Sequence, residues 1–241
     1  IDDEDPNLIY AGTGTPTPTV FFRSQDGGNS WQKTSMEAAA ECPAVGTPRV
    51  TGIAIDPTDR QSIWVGIEVD GLRHSADGGN TWTTINHGAI PNMDIHNVAV
   101  SSGPPKTVVV VVNNDVYTST DNGATWNSIG VRDNFDLGYP RGINVRPGSP
   151  NVIFLTLGDT TPGSTGCVMR SIDTGQSWQR LPLPVEPNTA MWVVNAQPAD
   201  PQIVFAGSRY GYLYRSDDGG DSWSKLKREF SEISSVLWVA S

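Results

Sequence analysis

Five aspartates recur along the chain at a nearly regular interval, and carboxylates repeated in this way raise the question of acid–base chemistry. The steps between them are 51, 44, 52 and 45 residues, and the set is Asp26, Asp77, Asp121, Asp173 and Asp218. Each lies in an octet with the pattern Ser-x-Asp-x-Gly-x-Ser/Thr-Trp. A group that recurs in every repeat is expected to build the repeat, so we assign these carboxylates a structural role.

Each octet predicts a closed turn between two strands. The Asp side chain can accept hydrogen bonds from backbone N–H groups shortly after it. The Gly supplies a backbone conformation that a Cβ would forbid, and the Ser/Thr hydroxyl offers a further local bond. The Trp then begins the next strand with a large apolar ring to bury. The repeats are therefore interpreted as β-hairpins closed by the octet.

The octet resembles the Asp-box, or BNR repeat, of sialidases, xyloglucanases, sortilin-type receptors and photosystem II assembly factors. All copies keep the Asp, the Gly two places later and the Trp. The resemblance covers essentially the whole chain and implies an all-β fold, a β-propeller with four-stranded antiparallel blades. It implies little about function, because that superfamily hosts enzymes, receptors and assembly factors alike.

The family pattern places the octet between the third and fourth strands of a blade. The second repeat matches it best, with strands predicted at residues 50–55, 62–67, 71–75 and 82–85. The next repeats give predicted strands at 97–100, 107–112, 115–119 and 126–129, then 142–145, 152–157, 167–171 and 178–181, then 191–196, 203–207, 212–216 and 223–226.

The first repeat has predicted strands at residues 8–12, 19–24 and 31–33 and no innermost strand before them. A strand-like segment is left over at residues 236–240. Pairing the two would close a five-bladed propeller and leave no open sheet edge. We therefore expect a single domain, residues 1–241, whose first blade is completed by the C-terminal strand. The alternative is a fragment of a six- or seven-bladed parent.

Propeller connectivity would place the octets on one face and the long irregular loops on the opposite face, where sites are usually built. Residues at the aligned starts of the innermost strands are expected at the mouth of the channel, and two residues of the loop after residue 208 are added to them. The candidate binding residues are Arg49, His96, Tyr139, Arg141, Trp192, Arg209 and Tyr210. Aromatic rings and guanidinium groups could hold a sugar, a carboxylate or a peptide segment. The alternative is that Trp192 packs between blades and the arginines pair with acids such as Asp133 and Asp136.

Carboxylates on the loop-bearing face are candidates for glycoside hydrolysis, which needs two carboxyl groups about 5–9.5 Å apart. They are Glu68, Asp70, Asp94, Asp133, Asp136 and Asp159. Asp70 lies where the xyloglucanase pattern places a catalytic Asp, but the second catalytic Asp of that family belongs to another propeller domain. The Arg-Ile-Pro motif of sialidases is absent from the sequence. The candidate catalytic residues are therefore Asp70, His96 and Tyr139.

The sequence contains no motif for metal or cofactor binding. The histidines His74, His87 and His96 have no ligand spacing, and no Gly-rich loop leads from a strand into a helix, so no metal or cofactor is predicted. The two cysteines, Cys42 and Cys167, are far apart in sequence, and we expect two free thiols.

Composition excludes several partners. The net charge of −10 argues against nucleic acid and anionic membranes, and no apolar run reaches the length of a membrane span. The start at Ile1 suggests a cut or mature N-terminus, which favours a secreted or periplasmic location over the cytoplasm. We predict a monomeric, non-catalytic binding or assembly module that holds a protein or carbohydrate ligand on the loop-bearing face. The alternative is a glycan-active enzyme, a hydrolase or lyase, with its site at the same mouth.

Overall fold

The computed structural model describes residues 1–2, 4–85 and 88–238. The chain forms two compact units, Ile1–Val100 and Ser101–Ser241. Within the described ranges the strands form five antiparallel sheets, of which the first has three strands and the others four. The all-β class predicted from the sequence is confirmed, and each octet connects two neighbouring strands of one sheet.

The first unit contains the three-stranded sheet, one four-stranded sheet and an eighth strand that ends one residue beyond the unit's boundary. Strands β1, β2 and β3 form the first sheet, and β4 to β7 pair in sequence order in the next. The bounds are β1 Ile9–Gly12, β2 Phe21–Ser24, β3 Gln32–Lys33, β4 Val50–Asp56, β5 Asp59–Ile67, β6 Gly71–Ser75, β7 Thr83–Thr84 and β8 Ile95–Ser101.

The second unit repeats the same arrangement and adds one helical turn. The strands pair in the orders β9-β10-β11, β12-β13-β14-β15 and β16-β17-β18-β19. The bounds are β9 Thr107–Val112, β10 Val116–Ser119, β11 Asn127–Ser128, α1 Val131–Asn134, β12 Tyr139–Val145, β13 Ile153–Gly158, β14 Gly166–Ser171, β15 Gln179–Arg180, β16 Met191–Gln197, β17 Asp200–Ser208, β18 Leu213–Ser216 and β19 Ser224–Lys225.

Burial explains which strands are long. All six residues of β9, a Thr followed by five Val, are buried, as expected for a strand covered on both faces. The outermost strands are the opposite case, because each has only two residues, nearly all of them exposed. The prediction that they begin at the Trp and run for three or four residues was wrong. The Trp belongs to the turn, because its indole N–H is held by the octet.

The five octets share one hydrogen-bond pattern, shown here by the second. Ser75 Oγ donates to Asp77 Oδ1 at 2.8 Å, and the N–H of Gly79 donates to Ser75 Oγ at 2.8 Å. Thr81 donates its N–H to Oδ1 of Asp77 at 2.8 Å and its hydroxyl to Oδ2 at 2.6 Å. The Trp82 indole N–H donates to the Gly79 carbonyl at 3.1 Å. Gly79 has φ +90°, where a Cβ would be strained. The structural role predicted for the repeated Asp is confirmed.

Each unit has its own apolar core. In the first, Tyr10 stacks on Phe21 at 5.7 Å between ring centroids, and Trp82 meets Phe21 edge-on at 5.2 Å. In the second, Phe154, Met191 and Tyr214 are fully buried together between neighbouring sheets. The octet Trp therefore contributes to packing as well as closing its turn.

The first sheet lacks a fourth strand among the described residues, yet the end of such a strand is recognisable. Asp56 ends β4 and accepts the N–H of Thr58 at 2.8 Å. Asp2 does the same in the first repeat, accepting the N–H groups of Glu4 and Asp5, each at 2.9 Å. Of the predicted C-terminal strand, residues 236–238 lie in no strand, and Val239 and Ala240 are outside the described residues. The predicted closure of the first blade therefore stays a prediction.

Candidate functional site

Four of the predicted binding residues meet in the second unit, around the indole of Trp192. The guanidinium carbon of Arg141 lies 4.1 Å from the ring centroid, and that of Arg209 lies 4.5 Å from it. The ring of Tyr139 is 6.5 Å away and tilted by 31°. Both arginines are within the distance at which a cation is attracted by an aromatic ring. We call Tyr139, Arg141, Trp192 and Arg209 the Trp192 cluster.

Two β-bulges place Arg141 and Trp192. The pairing of β12 with β13 shifts register between Pro140 and Ile143. The pairing of β16 with β17 shifts between Met191 and Val193. Each bulge contains one member of the cluster near the start of its strand. Bulges commonly re-aim a side chain, and these two coincide with Arg141 and Trp192.

Gly142 allows the two strands to come close enough for the stacking. A Cβ on Gly142 would lie 2.9 Å from the carbonyl oxygen of Trp192 and 3.2 Å from the Cα of Val193. The N–H of Gly142 donates to the Thr156 hydroxyl at 2.8 Å, which satisfies a donor that the bulge removes from the strand ladder. The backbone of Arg141 is thereby fixed beside Trp192.

Two backbone hydrogen bonds hold Arg209 in place, one through its N–H and one through its carbonyl group. Its N–H donates to the Ala190 carbonyl at 2.9 Å, and its own carbonyl accepts the N–H of Ile233 at 3.1 Å. Its guanidinium forms an ion pair with Glu232, whose side chain is half exposed. The segment that carries Glu232 and Ile233 thus lies against the turn that follows β17.

The cluster combines apolar surface with hydrogen-bond donors. A stacked guanidinium keeps its N–H groups in the plane of the group, where they can donate to a hydroxyl or fork onto a carboxylate. Tyr210 follows Arg209 and is 47% exposed. Its backbone N–H donates to the Thr189 hydroxyl at 3.1 Å. Aromatic rings beside fixed donors suit a ligand with both apolar faces and oxygen atoms.

The remaining predicted binding residues, Arg49 and His96, belong to the first unit. Arg49 pairs with Glu68 through two hydrogen bonds, the Nη2–Oε1 bond measuring 3.0 Å. His96 is buried, with its Nε2 3.8 Å from Asp94 Oδ2. The ring that would join these residues to the Trp192 cluster stays a prediction.

Asp70, the candidate suggested by the xyloglucanase pattern, anchors the loop that precedes β4. Its Oδ2 accepts Nη2 of Arg73 at 2.7 Å and the N–H of Ala39 at 3.0 Å. Arg73 also donates to the carbonyl oxygen of Glu37 at 3.2 Å. Asp70 and Arg73 therefore tie a long connection to the sheet, whatever further role Asp70 has.

The acidic candidates of the second unit have local partners. Asp159 accepts the N–H of Thr160 at 3.0 Å and the Ser164 hydroxyl at 2.7 Å. Burial raises the pKa of Asp159, but these hydrogen bonds outweigh it and hold the pKa below its ordinary value. Asp136 lies 3.7 Å from Arg180, and Asp133 is in α1. The arginine that pairs with Asp136 is thus Arg180.

The cysteines form no disulfide bond among the residues that the structure describes. Cys42 and Cys167 are free thiols, as predicted, and burial raises the pKa of Cys167 to about 11. Across the residues that the structure describes, no group of three or more His, Cys, Asp or Glu side chains could hold a metal ion. His87 lies outside those residues. None of the helices described is long and apolar enough to cross a membrane.

The octet geometry and the antiparallel sheets define an Asp-box repeat protein of the β-propeller superfamily, as the sequence resemblance indicated. The family model described as "Sortilin, neurotensin receptor 3" (Sortilin-Vps10) matches residues 114–240, more than half of the 241-residue chain. The chain belongs to the Sortilin-Vps10 family, one of the Asp-box β-propeller families.

Several of the individual proteins to which the chain is similar are named xyloglucanases. The chain is 27% identical to the xyloglucanase Xgh74A of Acetivibrio thermocellus over 93% of its own length and 31% of the relative's. It thus spans about a third of the length of the curated relatives it matches. The GH74 enzyme of Niastella koreensis superposes with a TM-score of 0.71 at 21% identity, covering 93% of this chain and 37% of that one. YCF48 from Cyanidioschyzon merolae gives 0.53 at 14% identity, covering 94% and 83%. These structures support the fold alone.

Sequence reasoning missed two features of the second unit. Glu232, the partner of Arg209, lies between the predicted strand at 223–226 and the strand-like segment at 236–240, and no periodicity marks it. Phe135 meets the octet Trp178 edge-on, with 6.4 Å between ring centroids. One signal could have identified Phe135. It is an aromatic residue that follows a short polar run in a loop otherwise rich in Asp and Asn.

Proposed function

We propose that this chain is a carbohydrate-binding β-propeller module that holds its ligand at the Trp192 cluster and does not catalyse a reaction there. The observation that carries the proposal is the pair of arginines over Trp192, with distances of 4.1 and 4.5 Å. This arrangement orients several N–H donors beside the ring of Tyr139. Such donors match sugar hydroxyl groups and sugar carboxylates.

The relatives support the carbohydrate class of ligand, because their names describe xyloglucanases. We assign no catalytic role because of the contacts that the acidic side chains make. Glu68, Asp70 and Asp159 each accept hydrogen bonds from an arginine or from backbone N–H groups of their own unit. A carboxylate in that position orders the chain around it, which is a structural role.

Calorimetric titration with xyloglucan oligosaccharides and with uronic-acid oligosaccharides tests the proposal. Trp192→Ala and Arg209→Ala are expected to weaken binding at least tenfold, or by about 1.4 kcal/mol. Arg215→Ala is the matched control, since Arg215 also lies over an aromatic ring, Phe205, at 5.8 Å, and is paired with Asp217. Equal losses in all three variants, or no binding of either glycan class, would rule out the cluster as the site.

The second candidate function is a glycan-active enzyme, favoured by the 27% identity to a xyloglucanase over 93% of the chain. Its weak candidates are Asp70, His96 and Tyr139. Reducing-end release from xyloglucan by the purified protein, abolished in Asp70→Asn, would favour the enzyme over the binding module. Arg73→Lys is the control, because it disturbs the same loop contact without removing the carboxylate.

We also propose that residues 1–241 form one five-bladed domain and that residues 236–240 supply the inner strand of the first blade by pairing with residues 8–12. Asp2 accepts the N–H two residues later, as Asp56 does at the end of β4, and this likeness supports the proposed fourth strand in the first sheet. Deleting residues 236–241 is then expected to lower the free energy of unfolding by several kcal/mol. A melting temperature within a degree or two of the parent would contradict this closure.

A further inference from the structure

A second groove in the second unit lies away from the Trp192 cluster, between the outer strand of the third repeat and the octet of the fourth. It encloses about 610 Å³, within the range of small-molecule sites. Its walls come from β10, β11, the loop after α1 and the octet turn. The lining includes Thr120, Asn127, Asn134, Phe135, Gln176 and Trp178.

None of the described residues that line the groove has an ionisable side chain, although the chain has 42 charged residues and a net charge of −10. Hydroxyl and amide groups replace them. Thr120, Asn127 and Gln176 are exposed, and such side chains both donate and accept hydrogen bonds. A groove of this kind offers nothing to attract a phosphate, a carboxylate or a basic peptide. Its chemistry matches a ligand that is polar and uncharged.

One wall of the groove is aromatic and fixed in advance. Trp178 and Phe135 meet edge-to-face, with 6.4 Å between centroids and an angle of 70°. The indole N–H of Trp178 donates to the Gly175 carbonyl at 3.0 Å, so the octet sets the ring's orientation. Both rings are partly exposed. Asn134, the last residue of α1, donates to the Ile129 carbonyl at 2.8 Å and fixes the end of the helix just before Phe135.

From these observations we propose that the groove binds a neutral oligosaccharide. The C–H faces of sugar rings pack against the rim formed by Phe135 and Trp178, and their hydroxyl groups pair with Thr120, Asn127 and Gln176. The site is separate from the Trp192 cluster and does not depend on the function proposed there. A neutral chain, rather than an acidic one, is favoured because no cation lines the groove.

Two variants and two controls test the proposal, with cellohexaose and a xyloglucan heptasaccharide as probes and the whole chain as the protein. Phe135→Ala and Gln176→Arg are expected to weaken binding at least tenfold. The second variant changes an exposed side chain and keeps the test valid if Phe135→Ala misfolds. Asn29→Ala is the matched control, because Asn29 occupies the octet position of Gln176 in the first repeat, and its affinity is expected to be unchanged.

Trp192→Ala separates the two sites. If Gln176→Arg removes a class of binding sites for the neutral probes that Trp192→Ala leaves intact, the groove is the site. If neutral probes fail to bind, bind equally to Gln176→Arg, or are lost only in Trp192→Ala, the proposal is overturned.

Discussion

Arg209 makes two contacts at once, since its guanidinium pairs with the carboxylate of Glu232 and lies 4.5 Å from the ring centroid of Trp192. The ring contact uses the face of the guanidinium, and the ion pair uses its N–H edge. Glu232 therefore occupies donors that a ligand carboxylate would need. The residue is half exposed, so the ion pair can open at modest cost.

Replacing Glu232 is expected to expose those donors. Glu232→Gln should tighten binding of an acidic oligosaccharide at the Trp192 cluster by a few-fold, since an exposed ion pair contributes about 0.2–1 kcal/mol. Glu229→Gln is matched in charge and pairs with Lys225 at 2.8 Å instead. Titration calorimetry at low and high salt measures both. Equal effects of the two variants would show that net charge, and not the Arg209 contact, is responsible.

Gly211 is expected to be irreplaceable. It has φ +90°, and a Cβ there would lie 1.7 Å from the carbonyl oxygen of Phe230. Gly148 has φ +71° with nothing within 4 Å of its Cβ position. Gly148→Ala should lower the free energy of unfolding by about 1–2 kcal/mol, the cost of the left-handed conformation alone. Gly211→Ala should cost clearly more, because the segment before Glu232 must also move.

Chemical denaturation of the two glycine variants measures that difference. If the two losses in unfolding free energy are equal, the segment that carries Phe230 does not press on Gly211 in solution. The Gly211 variant should also weaken glycan binding at the Trp192 cluster, because Glu232 and Ile233 lie two and three residues after Phe230. The Gly148 variant should not.

The octets predict a loss of stability in acid. Hydrogen bonds from the Thr81 hydroxyl and N–H and from the Ser75 hydroxyl lower the pKa of Asp77 from 3.8 to about 2, and Asp26, Asp121 and Asp218 behave alike. A carboxylate whose pKa is lower in the folded state stabilises the fold above its ordinary pKa. That stabilisation should be lost as the pH falls from about 4 to about 2.

Melting temperatures measured between pH 7 and pH 2 test this expectation. The parent should be nearly flat above pH 5 and fall steeply below pH 4. Asp77→Asn should be less stable at pH 7 and should show a shallower fall in acid, since one of the titrating groups is gone. An acid slope unchanged by Asp77→Asn would mean that other carboxylates control it.

The two thiols should differ in reactivity. Burial raises the pKa of Cys167 to about 11, whereas Cys42 is only partly buried and its pKa is raised less. Since the thiolate is the reactive form, iodoacetamide at pH 8 should modify Cys42 and leave Cys167 until the protein is denatured. Mass spectrometry of native and denatured samples checks this, with Cys42→Ser as the control. Rapid modification of Cys167 in the native protein would contradict its burial.

Much of the fold follows from the sequence because its information is local. The octet fixes its own turn through bonds among residues such as Ser75, Asp77 and Thr81, and a run such as β9 requires burial on both faces. The outermost strands were predicted too long because the side-chain bond from Trp82 to Gly79 keeps the Trp in the turn. Sequence pattern alone does not show that bond.

The candidate site was predicted only in part, for a different reason. Arg141 and Trp192 were predicted by aligning the starts of the innermost strands from repeat to repeat. The alignment works because equivalent residues of the repeats occupy equivalent positions along their strands. The ion pair of Arg209 with Glu232 joins two irregular segments, and nothing in the spacing of the residues fixes their approach. The contact of Phe135 with Trp178 depends in the same way on the course of the loop after α1.

The octet turn also bears on how chains of this kind arise and can be engineered. The hydrogen bonds of the turn are made within eight residues, among Ser75, Asp77, Gly79 and Thr81. The octet alone therefore specifies the conformation of the turn. A duplicated gene segment brings a working hairpin closure into any new copy, without compensating changes elsewhere. The same independence makes the octet a transplantable part, suited to closing antiparallel hairpins in designed proteins that share no ancestry with this one.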